Sequence, residues 1–518
     1  MLRSFLKVGN MARGSLLRRF SVNSQLQELR SQPRDVEEYD VVIVGGGPSG
    51  LATAIRLKQL EQKDGKEIKV CVLEKGSEIG SHILSGNCFE TQGFEKLFPN
   101  WRELPEGQRP PINQKVTKDV FKILFKNSSF SVPEFLLPPQ IHNGANYVIS
   151  LGRLCSWMGE RAQELGVDVF PGFAVDELIF DEEKNFVKGV AIADSGISKG
   201  GEPKSGYQRG MALHGKQVVL AEGCRGSLSE RIIQRYSLRD HCDMQTYGIG
   251  LKEVWEVPEE DLIPGLVEHT VGWPSGNSVY AGSFMYHQAP NVVHIGYVVG
   301  LDYKNPYLNP YLEFQKLKTH PTIKKHLKGG KCIKYGARAL NEGGYFAVPK
   351  LTFPGGVIVG CSAGFMNVAK IKGTNNAIIS GTLAADSIFY ELNYGDYKPG
   401  KEVKSYEEKV HSSSIMKELK ESRNFKGGFK YAGILGGLAH GFLTTMILRG
   451  KEFWNIRNLE RDSYKIEPAS QHTVTLFPHR QPIEYEKPDG IYTFDLLENL
   501  SRSGTHHDHD QPSHLRIK

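Results

Sequence analysis

Residues 40–57, DVVIVGGGPSGLATAIRL, constrain this chain more than any other stretch. Residues 41–44 form an uninterrupted apolar run, as a strand covered on both faces of a parallel sheet requires. Gly45, Gly46 and Gly47 follow, then Pro48, Ser49 and Gly50, giving G-x-G-x-x-G at the mouth of a helix. In that pattern the first glycine permits a tight turn and the second lets the backbone approach a pyrophosphate. The third lets helix and strand pack closely. The free N–H groups and positive dipole end of the helix then meet the phosphates. A second strand, IKVCVLEKG, ends in Glu74, where a carboxylate accepts hydrogen bonds from ribose hydroxyls. Strand, turn, helix, strand and acid in register predict a dinucleotide-binding α/β unit.

FAD and NAD share such a half-site, and two later turns favour FAD. KQVVLAEGCRG, residues 216–226, sets Ala221 and Gly223 at the end of a strand. GGVIVGCSAGF, residues 355–365, sets Gly360 at the end of another. KIKGTNNAIISGTLAAD follows, with Gly373, Thr374 and Asn375 opening a helix whose N-terminus would stabilise negative charge on a reduced ring. A purely structural strand-to-helix turn is the competing reading of this third motif. Three contributions so far apart imply a cofactor domain interrupted by insertions.

The charge is concentrated at one end. Of the net +6, five cations lie within residues 1–27: Arg3, Lys7, Arg13, Arg18 and Arg19. No acid precedes Glu28, and Ser4, Ser15, Ser21 and Ser24 are interspersed among apolar residues. This is the pattern of a mitochondrial transit peptide, with RRFS at 18–21 resembling a matrix-processing site. A disordered basic tail is the alternative. The remaining charge is balanced, which gives no support to nucleic-acid binding. Seven cysteines, at 71, 88, 155, 224, 242, 332 and 361, form no C-x-x-C pair and suit a reducing compartment.

VVIVGGGPSGLATAIRLKQL, GSHILSGNCFE, QTYGIGLKEVWEV, HTVGWP, YGARALNEGGY, PKLTFPGGVIVGCSAGFMNVAKIKGT and SGTHHDHDQPSHL resemble the electron transfer flavoprotein–ubiquinone oxidoreductase family, over residues 40–515. The resemblance implies an inner-membrane mitochondrial enzyme of the respiratory chain, holding FAD and a [4Fe–4S] cluster. It would take electrons from reduced electron transfer flavoprotein and reduce ubiquinone to ubiquinol. It places the flavin contacts at residues 45–50, Glu74, Ser81, Ala221, Gly223, Gly360 and residues 373–375. It also implies an arginine where Ser150 stands; Arg153, one helical turn on, is the candidate replacement, or else a surface arginine. For the quinone, the family's Y-G-G-S becomes Tyr280, Ala281, Gly282, Ser283, so Ala281 and Gly282 are expected at the quinone carbonyl. The added methyl of Ala281 requires a negative φ.

The family's cluster is held by four cysteines near its C-terminus, and here no cysteine follows Cys361. The expectation is a chain truncated before the cluster domain, with no metal site of its own. The tract at His506, His507, His509 and His514, with Asp508 and Asp510, is not read as one. A cluster-less FAD-binding variant, or a lipid-directed flavin reductase or hydroxylase, are the alternative functions.

A route to the bilayer is visible between Lys430 and Arg449, which bracket eighteen uncharged residues. As a helix these span about 27 Å, short of the roughly 30 Å hydrocarbon core. With glycines and His440 among them, an interfacial helix fits better than a transmembrane one, and a buried core helix competes. The proline-bounded apolar loop 131–140 would form the facing lip. The expected fold is α/β, a discontinuous FAD-binding Rossmann-type domain with an inserted β-rich quinone-binding domain and a helical, membrane-contacting C-terminal part. The boundaries are 1–27 (transit peptide), 36–244 and 346–400 (the two FAD parts), 245–345 (quinone domain) and 401–518 (C-terminal region). The expected partners are electron transfer flavoprotein, ubiquinone and the matrix-side lipid surface of the inner membrane. No catalytic side chain is assigned, because flavin and quinone carry the redox chemistry.

Overall fold

A computed structural model describes residues 26–84, 86–472, 481–505 and 507–513. The transit-peptide expectation therefore falls, save for its last two residues, outside the described residues, as do His506 and His514.

Among the described residues the chain builds two large sheets. The first runs in the order Thr352–Phe353, Gly356–Ile358, Ala212–Leu220, Val36–Val44, Val70–Glu74, Asp168–Pro171. From Gly356–Ile358 to Asp168–Pro171 its pairings are all parallel. Its central strands are buried at Val41, Val42, Ile43, Val218 and Val219, so both faces are covered, as their unbroken apolar sequences require. The helix Pro48–Asp64, with proline in its first turn, and the helix Thr374–Tyr394 pack together, the Thr53 hydroxyl donating to the Gly381 carbonyl at 3.1 Å.

The second sheet runs Lys331–Asn341, Tyr247–Glu256, Val292–Gly300, Ala281–Gln288, Leu266–Gly272, Lys118–Leu124, Ser129–Val132. Its first five strands lie between residues 247 and 341. Its last two come from residues before 245, because Lys118–Leu124 runs parallel to Leu266–Gly272 and extends the same sheet. The sheet therefore reaches beyond the 245–345 boundary. Trp255, Ile295, Tyr297 and Phe314 fill its core. There the buried Glu253 carboxylate accepts from Lys318 Nζ at 2.8 Å, Trp255 Nε1 at 2.8 Å and Asn499 Nδ2 at 2.8 Å. Asn499 and Phe494 thus bring the stretch 481–505 back onto this sheet. Beyond them, the Lys204 ammonium contacts Asp508 at 3.2 Å.

The C-terminal part begins as helices, as expected, but the apolar stretch is not one straight rod. The helix Phe425–Phe442 is broken at Gly433, whose φ of 62° and ψ of −165° are non-helical. The cause is tertiary: Asn277 crowds that Cα, and its carbonyl and side-chain oxygens accept from Ile434 N–H and Leu435 N–H at 3.2 Å each. A π-helical turn, Leu443–Ile447, completes the stretch.

Candidate cofactor and quinone site

Four parallel strands of the first sheet end in line: Val44 is level with Leu73 and with Leu220, and Leu220 with Ile358. Ligands of open α/β sheets bind in the crevice outside such carboxyl ends. The register thus brings together three turns separated by well over a hundred residues.

Gly45 has φ +112° and a Cβ there would collide with the Ala221 carbonyl. Any side chain on Gly50 would overlap the Gly45 carbonyl oxygen, and one on Gly360 would lie 2.6 Å from Ser49 Oγ. Gly47 and Gly223, by contrast, face open space, which leaves their backbone free to approach a ligand. Pro48 occupies the first turn of the helix behind them. Two residues absent from the sequence reading tie the turns together: Ser362 Oγ donates to the Gly223 carbonyl at 3.0 Å, and Ser380 Oγ accepts from Gly360 N–H at 3.0 Å. Both stand inside the quoted stretches, but nothing in those patterns marks them out, so only their position in space identifies them.

Glu74 Oε2 accepts from Gly46 N–H at 2.9 Å and Oε1 from Gly76 N–H at 2.7 Å. Each oxygen keeps a lone pair for a ribose hydroxyl. Ser81 lies on the same side, its hydroxyl donating to the Glu78 carbonyl at 2.9 Å and its Oγ over the Cα of Gly76. Gly373 caps the helix Thr374–Tyr394. Thr374 Oγ1 accepts from Asn87 Nδ2 at 3.1 Å, and the buried Asn375 amide oxygen accepts from Gly93 N–H at 2.7 Å. Those two bonds fix the helix start against the first domain. Arg153 is exposed, and Ser150 is the N-cap of the helix Leu151–Glu164, its Oγ accepting from Arg153 N–H at 3.4 Å.

Ala281 and Gly282 open the strand Ala281–Gln288, level with Val299 and Val298. Among the described residues, positive φ outside glycine is confined to Asn185, Ser237, Ile371 and Arg449, so Ala281 carries its methyl without backbone strain. Gly282 lies close under the Thr270 carbonyl, and a Cβ there would be 2.9 Å from that oxygen. The Tyr280 ring meets Phe429 edge-on at 5.0 Å, which joins the start of this strand to the helix Phe425–Phe442. Among the described residues no cluster of histidine, cysteine or acidic side chains could hold a metal ion.

Residues 43–97 match the family profile of an NAD(P)-binding Rossmann-like domain. Residues 247–340 match that of the ubiquinone-binding domain of ETF-QO. Among solved structures, a geranylgeranyl bacteriochlorophyll reductase-like protein from Thermoplasma acidophilum covers 80% of this chain and 90% of its own, with a TM-score of 0.56 and 16% identity. A flavin-dependent brominase covers 83% and 97%, with a TM-score of 0.53 and 16% identity. At such identities the likeness is one of fold. The mitochondrial electron transfer flavoprotein–ubiquinone oxidoreductase of Mus musculus is 49% identical over 492 residues, covering 94% of this chain and 77% of its own. That of Dictyostelium discoideum is 45% identical over 515 residues, covering 97% and 81%. The chain belongs to the electron transfer flavoprotein–ubiquinone oxidoreductase family.

Proposed function

We propose that this protein is a membrane-associated flavoenzyme that carries electrons from reduced electron transfer flavoprotein to ubiquinone. The observation that carries the reading is the meeting of three glycine turns at the carboxyl ends of four strands, beside a sheet that matches the ubiquinone-binding family profile. The crevice fits an extended FAD: open backbone at Gly47 and Gly223 for the pyrophosphate, Glu74 for the ribose, and the start of the helix Thr374–Tyr394 for the ring. Bound FAD supplies the redox chemistry; this chain's residues bind it, orient it and exclude water. The residues do not fit an iron–sulfur cluster, since no cysteine follows Cys361 and no C-x-x-C pair occurs, and no step is routed through one.

Ala281 and Gly282 are our candidate quinone contacts, and a lipid surface is the proposed source of the quinone. No helix among the described residues is long and apolar enough to cross a membrane. Leu435, Ala439, Leu443 and Ile447 are exposed at intervals of four, an apolar stripe along one side of the stretch. On the facing loop Phe135 is 75% exposed and Leu136 46%, while Leu137 and Ile141 pack against Leu438. These two lips support monotopic attachment to one leaflet; relatives named as mitochondrial support a mitochondrial membrane, and we propose the matrix side of the inner one.

The test uses the purified chain. It should be yellow and release FAD on heating, lose its colour with reduced electron transfer flavoprotein and regain it with a short-tailed ubiquinone. A colourless protein that takes up no flavin overturns the whole reading; a flavoprotein that its partner cannot bleach overturns the electron-transfer part.

A further inference from the structure

Ubiquinone becomes ubiquinol by gaining two electrons and two protons, and the route of the protons is a question separate from that of the electrons. Near the start of the proposed quinone strand, adjacent strands of the second sheet carry two glycines side by side, Gly248 paired with Gly300. The missing side chains leave a slot across the sheet that polar groups fill. A Cβ on Gly300 would lie 3.0 Å from Asp302 Oδ1 and 3.4 Å from Tyr280 Cδ1. One on Gly248 would overlap the Glu342 carboxylate.

Lys426, on the helix that carries Phe429, roofs this slot. Its ammonium donates to Glu342 Oε2 at 2.6 Å and Thr246 Oγ1 at 2.8 Å, and lies 5.5 Å from the centre of the Tyr280 ring. Glu342 is 3% exposed. Toward the surface, Lys465 Nζ is 3.4 Å from Asp302 Oδ2 and 3.4 Å from Asp462 Oδ1, and Asp462 accepts from Tyr247 N–H at 2.8 Å. Lys465 and Asp302 are 11% and 19% exposed, so this end approaches water. The titratable and charged groups facing the Glu342–Lys426 pair are thus Tyr280, Asp302, Asp462 and Lys465.

Desolvating two charges costs about what their attraction returns, so stability alone does not call for a buried pair here. Burial raises the Glu342 carboxyl above its usual range, and Lys426 only partly reverses this. Burial pushes the Lys426 ammonium down, but Glu342 and Asp302 outweigh it and hold it up. Burial and mutual pairing thus set both groups apart from their behaviour in water.

We propose that Glu342 and Lys426 are proton-relay residues for quinone reduction, resupplied from solvent through Asp302 and Lys465. This rests on the quinone lying at residues 281–282. Bound flavin would supply the two electrons; both protons come from water, and each proton given to a quinone oxygen is replaced through Lys465, so the pair returns to its starting state.

The test sets two acceptors against each other, with reduced electron transfer flavoprotein as donor. Ubiquinone needs protons; ferricenium takes an electron and none. Glu342→Gln should lower kcat for a short-tailed ubiquinone about tenfold or more, with KM unchanged, shift its pH profile and enlarge its solvent deuterium isotope effect. Ferricenium turnover and the flavin spectrum should stay as in the wild type, and Glu342→Asp should restore part of the quinone rate. Equal loss with both acceptors, or full quinone turnover in Glu342→Gln, overturns the relay. Should Glu342→Gln fail to retain flavin, Asp302→Asn is read with the same acceptors and the same criteria. A wild-type protein that reduces ferricenium but never ubiquinone overturns the quinone reading itself, and the relay with it.

Discussion

At the residue scale the cofactor turn works by what is missing. Gly50 has no room for a methyl group because the Gly45 carbonyl occupies that space, while Gly47 has only open space before it. Gly50→Ala should therefore push the turn and helix apart and weaken FAD binding by about tenfold or more, a loss of about 1.4 kcal/mol or greater. Gly47→Ala should perturb folding far less and act on the bound cofactor alone. Fluorescence titration of the flavin-stripped proteins separates them: equal stability in Gly50→Ala and wild type, with equal affinity, would contradict the steric argument. All of this was legible in the sequence, because the G-x-G-x-x-G spacing encodes the geometry directly. Ser362, Ser380, Glu342 and Lys426 were not. Each acquires its role from a partner distant in sequence, as with Ser362 and Gly223 or Lys426 and Glu342, and no local pattern announces such pairs.

At the scale of elements the apolar stretch shows how tertiary contacts overrule a local reading. Eighteen uncharged residues predict a helix, and most of them are helical, yet Asn277 breaks it at Gly433. The break, followed by the π-helical turn, leaves Leu435, Ala439, Leu443 and Ile447 facing outward while Gly437, Thr444 and Thr445 are buried. Ile447 is 62% exposed, so an acid there should cost the folded protein little. It should cost membrane binding much, since immersing a large aliphatic side chain contributes about 1.5–3 kcal/mol and a carboxylate resists it. Ile447→Glu is expected to reduce co-sedimentation with inner-membrane-like vesicles about tenfold, with an unchanged melting temperature and unchanged ferricenium turnover. Undiminished vesicle binding, with Phe135→Glu equally silent, would remove these lips from the contact surface.

At the scale of the whole molecule the two sheets differ in how far the sequence disclosed them. The parallel sheet was readable from its apolar runs and turns; the second was readable only as an insertion, because its strands Lys118–Leu124 and Ser129–Val132 join across sequence, and Asn499 returns from the far end to bond Glu253. The second sheet also holds a hidden acid sensitivity. Burial pushes His269 down to about 3, His294 to about 3, His326 to about 3 and His287 to about 4, against an ordinary 6.5. None is more than 7% exposed, and their partners are neutral: Tyr286 OH for His269, Gln288 for His294, Ile263 N–H for His287. In the unfolded chain these rings take up protons below about 6.5; in the fold they do not until the pH is far lower. Their contribution is therefore complete above about pH 6.5 and is lost as pH falls from there toward 4, at up to about 1.4 kcal/mol per pH unit for each ring. The urea midpoint should drop by several kcal/mol equivalents between pH 7.5 and 5.5, before most carboxylates titrate. Hydrogen exchange at pH 5.5 should show the loss first in residues 266–300, with the parallel sheet still protected. An unchanged midpoint across that interval, or first exchange in residues 36–74, would mean that these histidines are charged or solvated in the fold.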